Sequence, residues 1–170
     1  MNTLLKIIIF GCLVLNCLVA SAKSAQADCS YVFPSEIWLE PAESCRILKE
    51  IGLDYDPISK KLFDHSARTC GPIDFSAKSV NLSQQPDRYI VILFGNICSA
   101  GMAGTNFVLL EKSSSGAVRK VAEAAAVSKV IISAKVTNAH NELLLYGSGR
   151  CHAIWIWENG KYKFFNEMCK

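Results

Sequence analysis

The dipeptide Asn159-Gly160, set between two alternating, aromatic-rich runs, constrains this chain more than any other feature. Both central positions of a two-residue hairpin turn need positive φ, and Asn-Gly supplies it at little steric cost. Such a turn puts Glu158 opposite Lys161, Trp157 opposite Tyr162, Trp155 opposite Phe164 and Ala153 opposite Asn166. On the intervening positions Ile156 opposes Lys163, Ile154 opposes Phe165 and His152 opposes Glu167. Successive strand residues point to opposite faces, so one face becomes a Trp, Trp, Tyr and Phe ladder and the other is aliphatic with a His–Glu pair at its end. Both faces are apolar in the middle, and each therefore needs a cover, a helical layer on one and a second sheet or a partner on the other.

The start of the chain bounds where such a sheet folds. Lys6 precedes the apolar run Ile7 to Val19, and Ala20-Ser21-Ala22 and Ala25-Gln26-Ala27 come before the first acid, Asp28. A positive start, a short apolar run and A-x-A sites are the pattern of a secretory signal, too short and wrongly flanked for a membrane span. The expected signal is 1–27, cut after Ala27 with Ala22 as second choice, and the expected location is periplasmic or secreted. Cys17 follows Asn16 and Cys29 follows Asp28, so neither has the small residue that a lipid anchor needs before its cysteine. Residues 28–170 suit a single domain with an adequate core. Of 18 basic residues the leader takes Lys6 and Lys23, leaving near balance against 15 acids. A nucleic-acid binder would need a concentrated basic face, so that class is set aside.

Six cysteines follow the leader: Cys29, Cys45, Cys70, Cys98, Cys151 and Cys169. An even count in an oxidising compartment reads as up to three disulfides, each worth about 2–4 kcal/mol. No two of them lie within ten residues of each other, which is unlike a zinc site, and no metal or cofactor is expected. In the hairpin register Cys151 faces Met168, one residue short of Cys169, so a Cys151–Cys169 bridge would need a bulge or a frayed end.

Along the chain, Pro41, Glu43, Ile47, Leu48, Ile51, Lys49 and Gly52 spell a helix from first turn to stop, with Cys45 on it. A second short helix is expected from Asp56-Pro57 through Ile58, Leu62 and Phe63 to His65. Residues 28–72 would thus form a helical cap. From Ile73 onward the pattern turns to strands: Ser76 to Leu82, Tyr89 to Phe94 and Phe107 to Glu111. Gly116 to Ser128 reads as strand and then loop, because Val118 and Val121 favour a strand and the alanine run after Val121 does not.

Two pieces of 73–170 align with each other. Ser76-Ala77-Lys78 matches Ser133-Ala134-Lys135, Tyr89 to Phe94 matches Leu143 to Tyr146, and Cys98 matches Cys151. Phe107 to Leu110 then matches Ile154 to Trp157, Ser115-Gly116 matches Asn159-Gly160, and Arg119-Lys120 matches Lys161 and Lys163. The fold class expected is α+β, mainly β: a short N-terminal helical segment on an antiparallel sheet of two related three-strand units, braced by disulfides. Equivalent places in neighbouring units make Cys98–Cys151 the preferred bridge.

Asn138 to Leu145 followed by Trp155 to Tyr162, with Asn81 to Ile92 as a fainter copy, resembles the FG-GAP or VCBS type of β repeat. In that repeat a strand leads through an acidic loop to a Glu-Leu-hydrophobic start and on to an aromatic strand ending near G-x-Y. Exported bacterial proteins look similar over roughly the C-terminal 95 residues. The family's loop often holds calcium on alternate aspartates, but here it reads Thr137-Asn138-Ala139-His140-Asn141 and Ser83-Gln84-Gln85-Pro86-Asp87. Most of the carboxylates are missing, so the resemblance brings no calcium site.

No string names a reaction. Gly147-Ser148-Gly149 lacks the strand-to-helix flanks of a nucleophile elbow, nucleotide motifs are absent, and a Cys-His nucleophile from Cys151 or Cys98 with His152 or His140 would need an unpaired cysteine. The expected function is non-catalytic binding, with a protein partner in the cell envelope in the manner of an inhibitor or immunity module. The alternatives are an envelope enzyme acting on glycan or peptide and an accessory subunit of an envelope complex. Candidate binding residues are Met102 and Thr105 in a glycine-rich insertion, Arg150 in the Gly147 to Arg150 turn, and Trp155, Trp157 and Tyr162 of the aromatic ladder.

Overall fold

The structure is a computed structural model and describes residues 28–37, 39–84, 88–100 and 104–169. The leader with its cut after Ala27, and the candidate Met102, lie outside these residues. Helix α1, Pro41–Glu50, follows the sequence signals: Pro41 opens it, Glu43 and Lys49 sit in its first and last turns, and Gly52 after it takes φ 80°. Its apolar stripe buries Ile47 and Leu48, and Arg46 Nη2 donates 2.9 Å to the Val118 carbonyl.

The second helix expected at 56–65 is a β hairpin instead, β1 Leu53–Asp56 and β2 Lys61–Asp64. Asp56 does cap, but it caps a tight turn: Oδ1 accepts from Ile58 N at 3.0 Å and Oδ2 from the Ser59 hydroxyl at 2.8 Å. Lys60 closes the loop at φ 55°, and β2 pairs back onto β1. The cap is therefore part helix and part hairpin.

Two antiparallel meanders follow. The first runs β3 Asp74–Val80, β4 Tyr89–Gly95, β5 Thr105–Lys112 and β6 Val118–Val127, with one helical turn, Ile97–Ala100, between β4 and β5. The second runs β7 Lys129–Thr137, β8 His140–Tyr146, β9 Cys151–Glu158 and β10 Lys161–Cys169. Each unit thus has four strands rather than three. The strand segments aligned in the sequence fall on equivalent strands, β3 with β7 through β6 with β10, whereas Cys98 and Cys151 do not occupy equivalent places. The alanine-rich end of β6 is strand, not loop, because Ala122 and Ala124 pair with Leu109 and Phe107 of β5 and fill the core.

The layers are α1 with the β1–β2 hairpin, then the first sheet, then the second. Along β4 and β5 alternate residues serve two cores. Ile90, Ile92, Val108 and Leu110 pack with Ile47, Leu48, Leu53 and Leu62, whereas Tyr89, Phe107 and Leu109 pack with Leu143, Leu145 and Tyr162 of the second sheet. The sheet covered on both faces is therefore β3 to β6, not the one holding the Asn159-Gly160 hairpin.

Three disulfides join Cys29 to Cys45, Cys70 to Cys98 and Cys151 to Cys169. This corrects the Cys98–Cys151 pairing. Cys98 lies on the helical turn after β4, beside the 3-10 turn Arg68–Cys70, while Cys151 opens β9 in the other sheet. The hairpin register holds from Glu158↔Lys161 to Trp155↔Phe164, and then Phe165 bulges out. Beyond the bulge Ile154 faces Asn166, Ala153 faces Glu167, His152 faces Met168 and Cys151 faces Cys169, which is what lets the bridge close. The expected His152–Glu167 rim pair is lost with it: His152 is buried and stacks on Tyr146 at 4.7 Å.

Candidate functional site

The aromatic ladder divides between two places. At the hairpin end, Trp157 and Tyr162 join Tyr89 of β4 and His140 of β8. The His140 ring stacks on Trp157 with centroids 4.2 Å apart, and Trp157 meets Tyr162 edge-on at 5.3 Å. The Tyr89 hydroxyl lies 2.8 Å from His140 Nε2, and His140 Nδ1 lies 2.9 Å from the Asn138 carbonyl. A carbonyl only accepts, so Nδ1 carries a proton, and the Tyr89 hydroxyl lies between His140 Nε2 and Glu111 Oε1, the latter 3.4 Å away. Tyr162 donates to the Asn141 carbonyl at 2.8 Å.

Beneath them Glu111, 4% exposed, takes Arg88 Nε at 3.0 Å and Arg119 Nε at 2.8 Å. A buried carboxylate needs such partners. Burial first, and the Glu111 charge second, push the Tyr89 hydroxyl up to about 12. Burial likewise raises Tyr162 well above the usual phenol range. Both phenol hydroxyls have hydrogen-bond partners and are held neutral, so the cluster forms a polar seal on the core.

At the other end the two sheets part and leave a groove of about 630 Å³. One wall is the end of β6, Ala124 to Val127, and the other is Trp155 of β9 with Phe164 of β10. The turn Gly147, Ser148 and Gly149 forms the rim. Phe164 is 59% exposed although Trp155 beside it packs on the core. The small alanines keep the groove open, and the wall they form is tied in place. Ala126 takes φ 57°, the Thr105 hydroxyl donates to the Val127 carbonyl at 2.9 Å, and the Ser128 hydroxyl donates to the Gly147 carbonyl at 2.7 Å. Gly104 passes so close that a Cβ there would lie 2.7 Å from the Val127 carbonyl.

The structure therefore separates the sequence candidates. Trp155 lines the groove and Arg150 stands exposed beside its rim, with no hydrogen bond or ion pair among the described residues. Thr105 holds the groove wall from behind, and Trp157 and Tyr162 belong to the seal. Phe164 and the β6 alanines are the residues sequence reasoning did not single out for binding. The pairing Trp155↔Phe164 was the signal for the first, while the alanines were hidden by their low strand propensity.

All six cysteines from Cys29 to Cys169 are in disulfides, which removes the Cys-His pair. Cys151, Glu167 and Cys169 come close enough together to suggest a metal, but a bridged sulfur is not the thiolate a metal binds. No helix among the described residues is long and apolar enough to cross a membrane. Fold and site together define a disulfide-braced, mainly β protein with a small helical layer. Set against family models, curated proteins and solved structures, the chain matches none.

Proposed function

We propose that this protein is a non-catalytic binding module of the cell envelope that engages a protein partner through the Trp155–Phe164 groove, as an inhibitor or immunity module does. The observation that carries the reading is Phe164, a large apolar ring left exposed beside Trp155 and opposite an alanine wall. Aromatic anchors next to a pocket, with an arginine close by, are what dominate protein–protein binding energy. The three disulfides and the leader-like start support an exported, oxidising location. A rigid, bridged frame suits such a role because little ordering entropy is lost on binding.

The test is affinity capture from a periplasmic extract with three proteins in parallel: wild type, Phe164→Asp and Phe165→Ala. Phe165 is as exposed as Phe164 but sits in the bulge and does not line the groove. A partner held by wild type and Phe165→Ala and lost by Phe164→Asp supports the groove. Equal capture by all three, or no capture by any, sinks it.

A further inference from the structure

A cavity of about 940 Å³ lies far along the chain from the groove, between the β1–β2 hairpin, the start of the described chain and β3. Its size falls in the range of small-ligand sites. Three aromatic rings line it, Tyr31, Tyr55 and Phe75, and Tyr31 is 81% exposed. Phe75 is braced from behind by Phe33, edge-on at 5.4 Å. Four charged residues share the lining, Lys60 and Lys61 from the hairpin with Asp28 and Asp74. Among the described residues, neither lysine side chain, nor the Asp74 carboxylate, nor either tyrosine hydroxyl has a hydrogen bond or ion pair. Only Asp28 is engaged, accepting from Ser30 N at 3.0 Å and from the Ser30 hydroxyl at 2.6 Å. The Asp56 turn cap fixes the loop that presents Lys60.

We infer that this cavity binds a neutral oligosaccharide. Two cations and two anions in one lining disfavour any singly charged ligand, because an anion would face both carboxylates and a cation both ammonium groups. A sugar hydroxyl both donates and accepts, so one polyhydroxylated ring uses lysine donors, carboxylate acceptors and tyrosine hydroxyls together. The apolar C–H face of a pyranose lies flat on an aromatic ring, whose π face is negative and attracts polarised C–H groups. Tyr31 at the lip, with Tyr55 and Phe75 further in, offers such platforms. This site shares no residue with the groove, so its success or failure is independent of the protein-binding reading.

The test is an NMR titration of the purified, disulfide-intact protein with chitotriose and with cellotriose, following the aromatic ring signals. The expected result is saturable shifts of Tyr31, Tyr55 and Phe75 with at least one sugar. Tyr31→Ala should weaken binding about tenfold, and Lys61→Met and Asp74→Asn about threefold each, as befits one anchor and single hydrogen bonds. Phe164→Ala should bind as wild type does. No saturable shift with either sugar overturns the inference, as does undiminished binding by both Tyr31→Ala and Lys61→Met. Hexaglutamate or hexalysine binding here in place of the sugars would overturn it too. All four side chains are at the surface or partly exposed there, and unchanged ring dispersion elsewhere confirms that each variant folds.

Discussion

Strands β4 and β10 occupy different positions in two meanders of the same strand order, and they meet different fates. In β4 alternate side chains enter two separate cores, so the strand reads Tyr-Ile-Val-Ile-Leu-Phe without a polar break. In β10 only Tyr162 of nine residues is buried, and Phe164, Phe165 and Met168 stand exposed. The difference comes from layering. The first meander lies between the helical layer and the second sheet, whereas the second has only one covered face. Stability is thereby concentrated in β4 and β5, and the β9–β10 hairpin can carry exposed apolar residues whose loss costs the fold little.

That contrast can be broken most forcefully in the core. Phe107→Ala, at a fully buried site between the sheets, should cost about 3–5 kcal/mol in urea unfolding, while Phe164→Ala stays below about 1 kcal/mol. Similar losses at the two sites would mean that the outer sheet is as tightly covered as the inner. Next in size is the bridge that pins the bulged hairpin. Cys151→Ala with Cys169→Ala opens a loop of sequence separation 18 and should cost about 3 kcal/mol. Hydrogen exchange should then speed up in β9 and β10 and leave β4 and β5 nearly unchanged.

The seal between the sheets gives a smaller, pH-dependent effect. The Tyr89 hydroxyl is raised from 10.0 to about 12, so the fold favours its neutral form. The stability this contributes is complete below about pH 10, where both folded and unfolded tyrosine are protonated. It is lost as pH climbs through about 12, because the unfolded chain releases its proton first. Tyr89→Phe should cost about 1 kcal/mol at neutral pH and flatten the alkaline fall measured by thermal unfolding. Smallest of all, Phe165→Ala at the bulge should shift stability by no more than about 0.5 kcal/mol.

Much of the second sheet was legible because its signal is local. Asn159-Gly160 set the register from Glu158 to Trp155, and the β7 to β10 and β3 to β6 segments share a sequence pattern. The register failed at one residue, Phe165, and that residue changed three conclusions together: the partner of His152, the place of Glu167 and the Cys151–Cys169 bridge. A bulge has no composition of its own, so it shows only when the strands are paired. The Asp56 hairpin was misread as a helix because an aspartate before proline caps either kind of turn, and only pairing with β2 decides between them. For the site, the aromatic ladder was visible, but its division into a sealed end and an open groove depends on β6 and β8, which lie outside the hairpin.

The sequence by itself determined helix α1, most of the alternating strands, the even cysteine set and the hairpin turn. Those rest on backbone preference and on periods of two or about 3.6 residues, which act between near neighbours. Tertiary structure alone decided which sheet is covered on both faces, which cysteines meet, and which aromatic rings are left exposed. Those outcomes depend on contacts between residues far apart in the chain, where a single inserted residue in one strand reassigns every pair beyond it.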